Sequence, residues 1–245
     1  MEYTYYEVTP GGNTTALLFG VYSLKEKQKI NKKILSQNPL IEQVGFIVPA
    51  QRKNADSRLE MAGGELCGNA LRSVGALLAK QTGKKNSFIE TDVTTEPISV
   101  LVRLDESTVC IPAKLFQLDR KICSLPGISH ILERNNGYFP NAKQFLEKKN
   151  LLKKKAVGIM SYETKNGKKL RLFPTVWVRD IKTCLKETAC ASGTLALAWY
   201  LYSQSGNKKF SIQQPSNAVF TVLIKRKYVY LRGPVWTIKK NSLNF

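Results

Sequence analysis

Short windows of two-residue apolar alternation, interrupted by four stretches with helical spacing, run along almost the whole chain. Residues 2–8, 15–21, 43–49, 57–62, 88–92, 98–103 and 107–111 alternate or carry β-branched and aromatic runs, which predicts strands. Lysine-rich 23–36 and the stretch 67–81 predict helices. In the second half, 156–162, 169–178, 210–213, 218–224 and 227–231 predict strands, and 141–150 and 191–204 predict helices. Between the halves the apolar rhythm breaks at "AKLFQLDRKICSLPG", residues 113–127, which predicts a hinge. Strands interleaved with helices define an α/β (α+β) class.

One long ruler links the two halves. "ELCGNALRSVGALLAKQTG" (65–83) and "ETACASGTLALAWYLYSQSG" (187–206) both run from a glutamate through a cysteine into an apolar helix that ends in glycine. Cys67 and Cys190 are 123 positions apart, as are Gly83 and Gly206, both suited to close a helix in the left-handed conformation. Downstream, "VLVRLDESTVCIP" (100–112) parallels "VLIKRKYVYLRGP" (222–234), and upstream "VGFIVP" (44–49) parallels "VGIMSY" (157–162). A spacing held through helix, turn and strand points to an internal duplication, each half built of strands around one central helix.

Composition narrows the class without deciding it. With 245 residues, 43% of them hydrophobic, the chain can bury a sizeable core in one or two domains. No run approaches the roughly 18 apolar residues of a membrane span, and "MEYTYYEVTP" has neither a basic nor an apolar leader region, so a cytoplasmic protein without a membrane partner is expected. The formal net charge of +20 raises the question of nucleic acid. Its lysines are scattered over presumed loops and helix faces, not gathered in one stripe with aromatics, which favours a solvated surface. Five cysteines are an odd number without a CxxC spacing, and His130 is the single histidine; this argues against a disulfide framework and against a zinc site.

The paired cysteines carry the chemistry. Each sits where a short turn enters a helix, so free backbone N–H groups and the positive end of the helix dipole converge on it. An ordinary thiol, with a pKa of about 8.5, is only a few per cent thiolate at neutral pH. Lowering it to about 7 takes roughly 2 kcal/mol, the upper end of what a helix N-terminus supplies, so partial burial with hydrogen-bond donors must also help. The same groups could hold a substrate carboxylate. If the halves face each other, Cys67 and Cys190 flank one cleft. A thiolate on one side could then remove a Cα proton while the opposing thiol protonates the other face, the pair titrating as one coupled unit.

Several motifs now resemble one family. "GELCGNALRS", "KETACASGT", "PGGNTTALL" (10–18), "EQVGFI" (42–47) and "SIQQPSNAVFTV" (211–222) resemble, in order and over nearly the whole chain, the diaminopimelate epimerase family of two-cysteine, cofactor-independent racemases. Within it the chain is most similar to the histidine racemases of staphylopine-type metallophore pathways. The resemblance implies two pseudo-symmetric lobes, each a mostly antiparallel sheet or barrel wrapped around a central helix. We take these as residues 1–115, with 236–245 as a candidate completion, and 116–235. It implies Cys67 and Cys190 as the catalytic pair, Asn13, Gln43 and Asn69 at the substrate, and backbone N–H groups of Gly68, Asn69, Ala191 and Ser192 on its α-carboxylate. No cofactor and no metal are implied. The partner is a small amino acid, and because relatives often pair, a homodimer is an expectation.

The departures point away from a dicarboxylic substrate. Diaminopimelate epimerases usually carry a Glu-Arg pair before the second motif; "RDIKTCLKETAC" has none in register, leaving Arg179 or Lys182 as substitutes. Glu187 stands three residues before Cys190, as in the histidine-type enzymes, and reads either as a helix N-terminal charge or as a residue near the substrate's amino or side-chain group. The family's usual glycine after the second cysteine is Ala191, which requires an ordinary backbone conformation there, and its usual cysteine after "CGNxxR" is Ser73. Cys110, Cys123 and Cys184 read as structural, His130 as a surface or core residue, and Gly11-Gly12 as no phosphate loop. The expectation is histidine racemisation. The alternatives are diaminopimelate epimerisation or racemisation of another amino acid, and an inactive relative that binds nucleic acid or an acidic partner.

Overall fold

The computed structural model describes residues 2–165 and 169–244. The first half holds β1 (Glu2–Val8), β2 (Thr14–Phe19), α1 (Leu24–Gln37), β3 (Ile41–Val48), β4 (Ser57–Met61), α2 (Gly68–Thr82), β5 (Asn86–Thr91), β6 (Ile98–Arg103) and β7 (Glu106–Pro112). The second holds β8 (Gln117–Asp119), β9 (Ile122–Leu125), β10 (Ile128–Arg134), α3 (Ala142–Lys148), β11 (Ala156–Lys165), β12 (Lys169–Val178), β13 (Thr183–Lys186), α4 (Ala191–Ser205), β14 (Lys209–Gln213), β15 (Val219–Ile224), β16 (Tyr228–Pro234) and β17 (Ile238–Asn244).

Local sequence explains where the helices stop. Ser23 and Glu26 form a reciprocal capping box that opens α1. Gly83 (φ 76°) and Gly206 (φ 72°) end α2 and α4 in the left-handed region, where a side chain would be strained. Helix α3 is shorter than the expected 141–150, because Asn141 (φ 49°) and Asn150 (φ 56°) both turn left-handed at its ends.

Strand pairing follows the same order in each half. In the first, β2–β3 is parallel, β3–β4 antiparallel, β4–β5 parallel, and β5–β6 and β6–β7 antiparallel. In the second, β10–β11, β11–β12, β12–β14, β14–β15 and β15–β16 repeat that order. Strand β17 lies antiparallel along all of β1, as β8 lies along β9. The halves join edge to edge through β7 and β16, from Tyr228 opposite Pro112 to Pro234 opposite Glu106.

Helix α2 is wrapped by strands of the first half and α4 chiefly by strands of the second, and the two share one apolar core. Leu71, Val74 and Leu77 of α2 and Leu195 and Leu197 of α4 are buried with Val100, Val109, Val222 and Leu231 of the surrounding strands. Each such side chain contributes roughly 1.5–3 kcal/mol through removal from water. This interior fixes the direction in which both helix N-termini point.

The expected hinge at 113–127 is largely ordered. After a short turn at 113–115 it contains β8 and β9, paired as a hairpin, and leads into β10. Turns at Arg120 (φ 51°) and Gly127 (φ 77°) cut the apolar positions into runs too short to show a period. Strands β13 and β17 were equally invisible, being polar segments held by their neighbours β12 and β1. All five cysteines are free, and among the described residues no helix is long and apolar enough to cross a membrane.

Candidate active site

Two cysteines cap two helices of equal length. Cys67 (φ −113°, ψ 105°) is the extended residue before α2, and its sulfur accepts the Ala70 N–H at 3.3 Å. Cys190 (φ −135°, ψ 107°) repeats this before α4, accepting the Gly193 N–H at 3.4 Å. The helices, 15 residues each, meet at their first residues: a Cβ built on Gly68 would lie 2.9 Å from the Ala191 Cβ. Asn69 donates its side-chain NH2 across this meeting point to the Ala189 carbonyl at 3.0 Å.

Both cysteines line one narrow cavity, together with Gln43, Gly68, Asn69, Glu187, Ala191 and Ser192. Ile128, Val176, Val178 and Leu185 supply apolar wall. The space open to the centre of a water molecule is about 40 Å³.

A chain of hydrogen bonds starts at the first sulfur. The Cys67 thiol donates to Gln43 Oε1 at 2.8 Å, and Gln43 Nε2 donates to Thr15 Oγ1 at 2.7 Å and to Asn13 Oδ1. Asn13 in turn donates to Glu42 Oε2 at 2.8 Å. Glu42 then accepts from the Thr188 hydroxyl and backbone N–H, two residues before the second cysteine. Cys190 is itself anchored by its N–H to Gln214 Oε1 at 3.0 Å. Tyr138 donates its hydroxyl to the Glu187 carbonyl at 3.0 Å.

Electrostatics reverse one expectation. Burial pushes both thiols above their ordinary value. At Cys67 the Glu65 charge adds to it, and at Cys190 the charge and hydrogen bond of Glu187 do. The N–H donors at the helix ends pull the other way but are outweighed, so neither thiol is lowered toward neutrality. Burial also raises Glu187 to about 8, and raises Glu42 to about 7 against the opposing hydrogen bonds from Thr188 and Asn13. Glu65 is raised by the same cause. Among the described residues the Oε2 atoms of Glu65 and Glu187, buried in the cavity wall, have no hydrogen-bond partner.

Of the residues singled out from the sequence, Cys67, Cys190, Gln43, Gly68, Asn69, Glu187, Ala191 and Ser192 converge on this cavity. Asn13 is buried one layer behind it, holding Gln43 and Glu42. Ala191 is an ordinary helical residue, so its departure from glycine carries no backbone strain. Arg179 pairs with the neighbouring Asp180 on the exposed surface. His130 is fully buried on β10, in the position that Leu17 occupies on β2, each opposite a glycine of the next strand.

Glu42 and Glu65 were not singled out. Strict alternation sends Glu42 and Gln43 to opposite faces, but a register shift skips Glu42 in the β2–β3 pairing, and both then line the cavity. Glu65 stood in the quoted motif with no signal that it would be buried. Among the described residues no cluster of His, Cys, Asp or Glu has metal-binding geometry.

Its relatives make the chain an isomerase of the amino-acid racemase class. The chain belongs to the histidine racemase family, since the family model "Histidine racemase CntK N-terminal domain" matches residues 2–230. It is 30% identical to a histidine racemase of Fusobacterium nucleatum over 97% of this chain and 95% of that protein. A histidine racemase of Staphylococcus aureus is 25% identical over 94% and 90%. In fold it is similar to a probable proline racemase from Agrobacterium radiobacter, with a TM-score of 0.68 at 12% identity, covering 99% of this chain and 93% of that one.

Proposed function

We propose that the protein interconverts L- and D-histidine with the thiols of Cys67 and Cys190 and no cofactor. A thiolate on one cysteine removes the Cα proton and the thiol of the other protonates the opposite face. One proton thus moves from sulfur to sulfur in each turnover. The observation that carries this reading is that both cysteines cap abutting helices and line one cavity. N–H groups of Gly68, Asn69, Ala191 and Ser192, at the two helix N-termini, are suited to the substrate carboxylate and to the negative charge developing at Cα.

The substrate assignment is supported by the carboxyl groups of Glu42, Glu65 and Glu187. Their oxygens suit the N–H groups of an ammonium and an imidazole, and a bound cation favours their ionised form, whereas the distal carboxylate of diaminopimelate would add a further acid to this acidic wall. A bound cation also offsets the burial that raises the thiols. In our reading residues 1–115, completed by the β17 segment of 236–245, and residues 116–235 act as two lobes; Phe245 lies outside the described residues. D-Histidine made here would feed a metallophore, as the resemblance implies, and supplying D-histidine to a strain lacking the gene should restore chelator production.

Incubation with L-histidine in heavy water tests the reaction. D-Histidine deuterated at Cα is expected, and Cys67→Ser and Cys190→Ser should each abolish inversion. No turnover of histidine removes the substrate assignment; full inversion by both serine variants removes the two-thiol mechanism.

A further inference from the structure

Arg72 is a buried charge that the two-thiol reading leaves unused. Its side chain is inaccessible to solvent, with the guanidinium 4.6 Å from the centre of the Phe220 ring. None of its hydrogen bonds goes to a carboxylate. Nε donates to the Ser107 carbonyl at 3.2 Å and Nη2 to the Pro234 carbonyl at 2.8 Å. Nη1 donates to Asn69 Oδ1 at 3.3 Å and makes a longer contact with the Pro10 carbonyl at 3.5 Å. Burying a cation against neutral acceptors is unfavourable compared with an apolar side chain of the same volume. Packing alone therefore gives no reason for an arginine here.

The acceptors supply a reason. Ser107 and Pro234 lie on β7 and β16, the strands that join the halves, so the guanidinium straddles the seam. Asn69 lies beyond, with Oδ1 toward Arg72 and Nδ2 toward the Ala189 carbonyl. The guanidinium only donates and the Ala189 carbonyl only accepts, so together they leave the Asn69 amide one orientation, with NH2 toward Ala189 and Oδ1 held by Arg72. Ala189 is the residue before Cys190. In the other direction Pro10 opens the turn that carries Asn13, whose amide holds Gln43, the acceptor of the Cys67 thiol. Arg72 is thus bonded toward the supports of both sulfurs.

We propose that Arg72 is a positioning residue: it fixes the Asn69 amide so that its NH2 holds the Ala189 carbonyl and sets the Cys190 thiol against that of Cys67. The inference rests on the reading of these two cysteines as the proton-transfer pair. A lysine at 72 keeps the charge, but its point-like ammonium cannot serve Asn69 and the seam carbonyls together.

The test is a double-mutant cycle read in histidine racemisation, with Arg72→Lys made in the wild type and in Asn69→Ala, each protein assayed well below its melting temperature. In the wild type, Arg72→Lys should lower kcat by roughly a hundredfold, the scale of an ångström of misplacement, with KM within about threefold. In Asn69→Ala the same substitution should cost less than about threefold, because the link it acts through is gone. Equal losses in both backgrounds, or wild-type kcat in Arg72→Lys, overturn the proposal. If Arg72→Lys does not fold, Asn69→Ala alone must lower kcat by a comparable factor at nearly unchanged KM, and wild-type kcat there overturns it. If the unmodified protein fails to racemise, or the Cys67→Ser and Cys190→Ser proteins retain inversion, it is the two-thiol reading that falls.

Discussion

Gly68 and Ala191 open two facing helices, and the missing side chain of Gly68 leaves the space that the Ala191 methyl needs: a Cβ on Gly68 would stand 2.9 Å from it. The one methyl group at this junction sits on the second helix. Moving it should therefore matter more than removing it. Gly68→Ala is expected to destabilise the fold by about 1–3 kcal/mol, as overpacking does, and to lower kcat by roughly a hundredfold by parting the helix ends. Ala191→Gly should remain active, and Gly68→Ala with Ala191→Gly should recover much of the loss. Additive losses in the double variant, measured by racemisation rate and melting temperature, count against this account.

Glu187 should make the protein less stable as pH rises. Its carboxyl, ordinarily near 4.5, is raised to about 8 in the folded chain by burial first and by Glu42 next. Between these values the folded state keeps a proton that the unfolded state has released, so raising the pH through the window favours unfolding. Glu42, raised to about 7, acts in the same direction. In Glu187→Gln the fall in stability between pH 5 and 8 should be shallower than in the wild type, by roughly 1–3 kcal/mol. Urea titrations at several pH values measure it, and parallel pH profiles would contradict it.

His130 acts in the opposite sense at lower pH. Burial depresses it from 6.5 to about 3, and neither ring nitrogen has a hydrogen-bond partner among the described residues. Between those values the unfolded state binds a proton that the folded state refuses. Stability from this group is complete above about 6.5 and lost as the pH falls toward 3. His130→Leu, which restores the side-chain type found at Leu17, should shift acid unfolding to lower pH with little change in kcat. An unchanged acid midpoint would count against a buried neutral imidazole.

Without substrate, Cys67 and Cys190 should alkylate slowly. Both thiols are pushed above their ordinary value by burial and by a nearby glutamate, and the thiolate is the reactive form. Iodoacetamide at pH 7–8, followed by peptide mass spectrometry, should modify either residue at least about tenfold more slowly than free cysteine. Faster labelling would mean that the helix ends outweigh desolvation.

Much of this molecule was legible before folding. The paired motifs fixed the starts and ends of α2 and α4, because a cap and a left-handed glycine are local signals. Alternation found most of β1 to β7 for the same reason; the repeat led to Cys67 and Cys190, and the family resemblance to Gly68, Asn69, Ala191 and Ser192. Strands β8, β9, β10, β13 and β17 were missed: the short or polar ones become strands only when a neighbour supplies the ladder, and β10, buried from Ile128 to Leu132 beside parallel β11, shows no alternation.

The sequence alone therefore determined which residues cap and line: two thiols at equivalent helix starts, with small residues behind them. Tertiary structure decided their setting. A register shift in β3 turned Glu42 into the cavity, and the fold set Glu65 and Glu187, half-buried with their Oε2 atoms shut from solvent, in the same wall as the sulfurs. The β7–β16 seam brought two distant carbonyls, those of Ser107 and Pro234, to Arg72. Burial and long-range contact set the energy of a charge, and neither can be read from spacing along one chain.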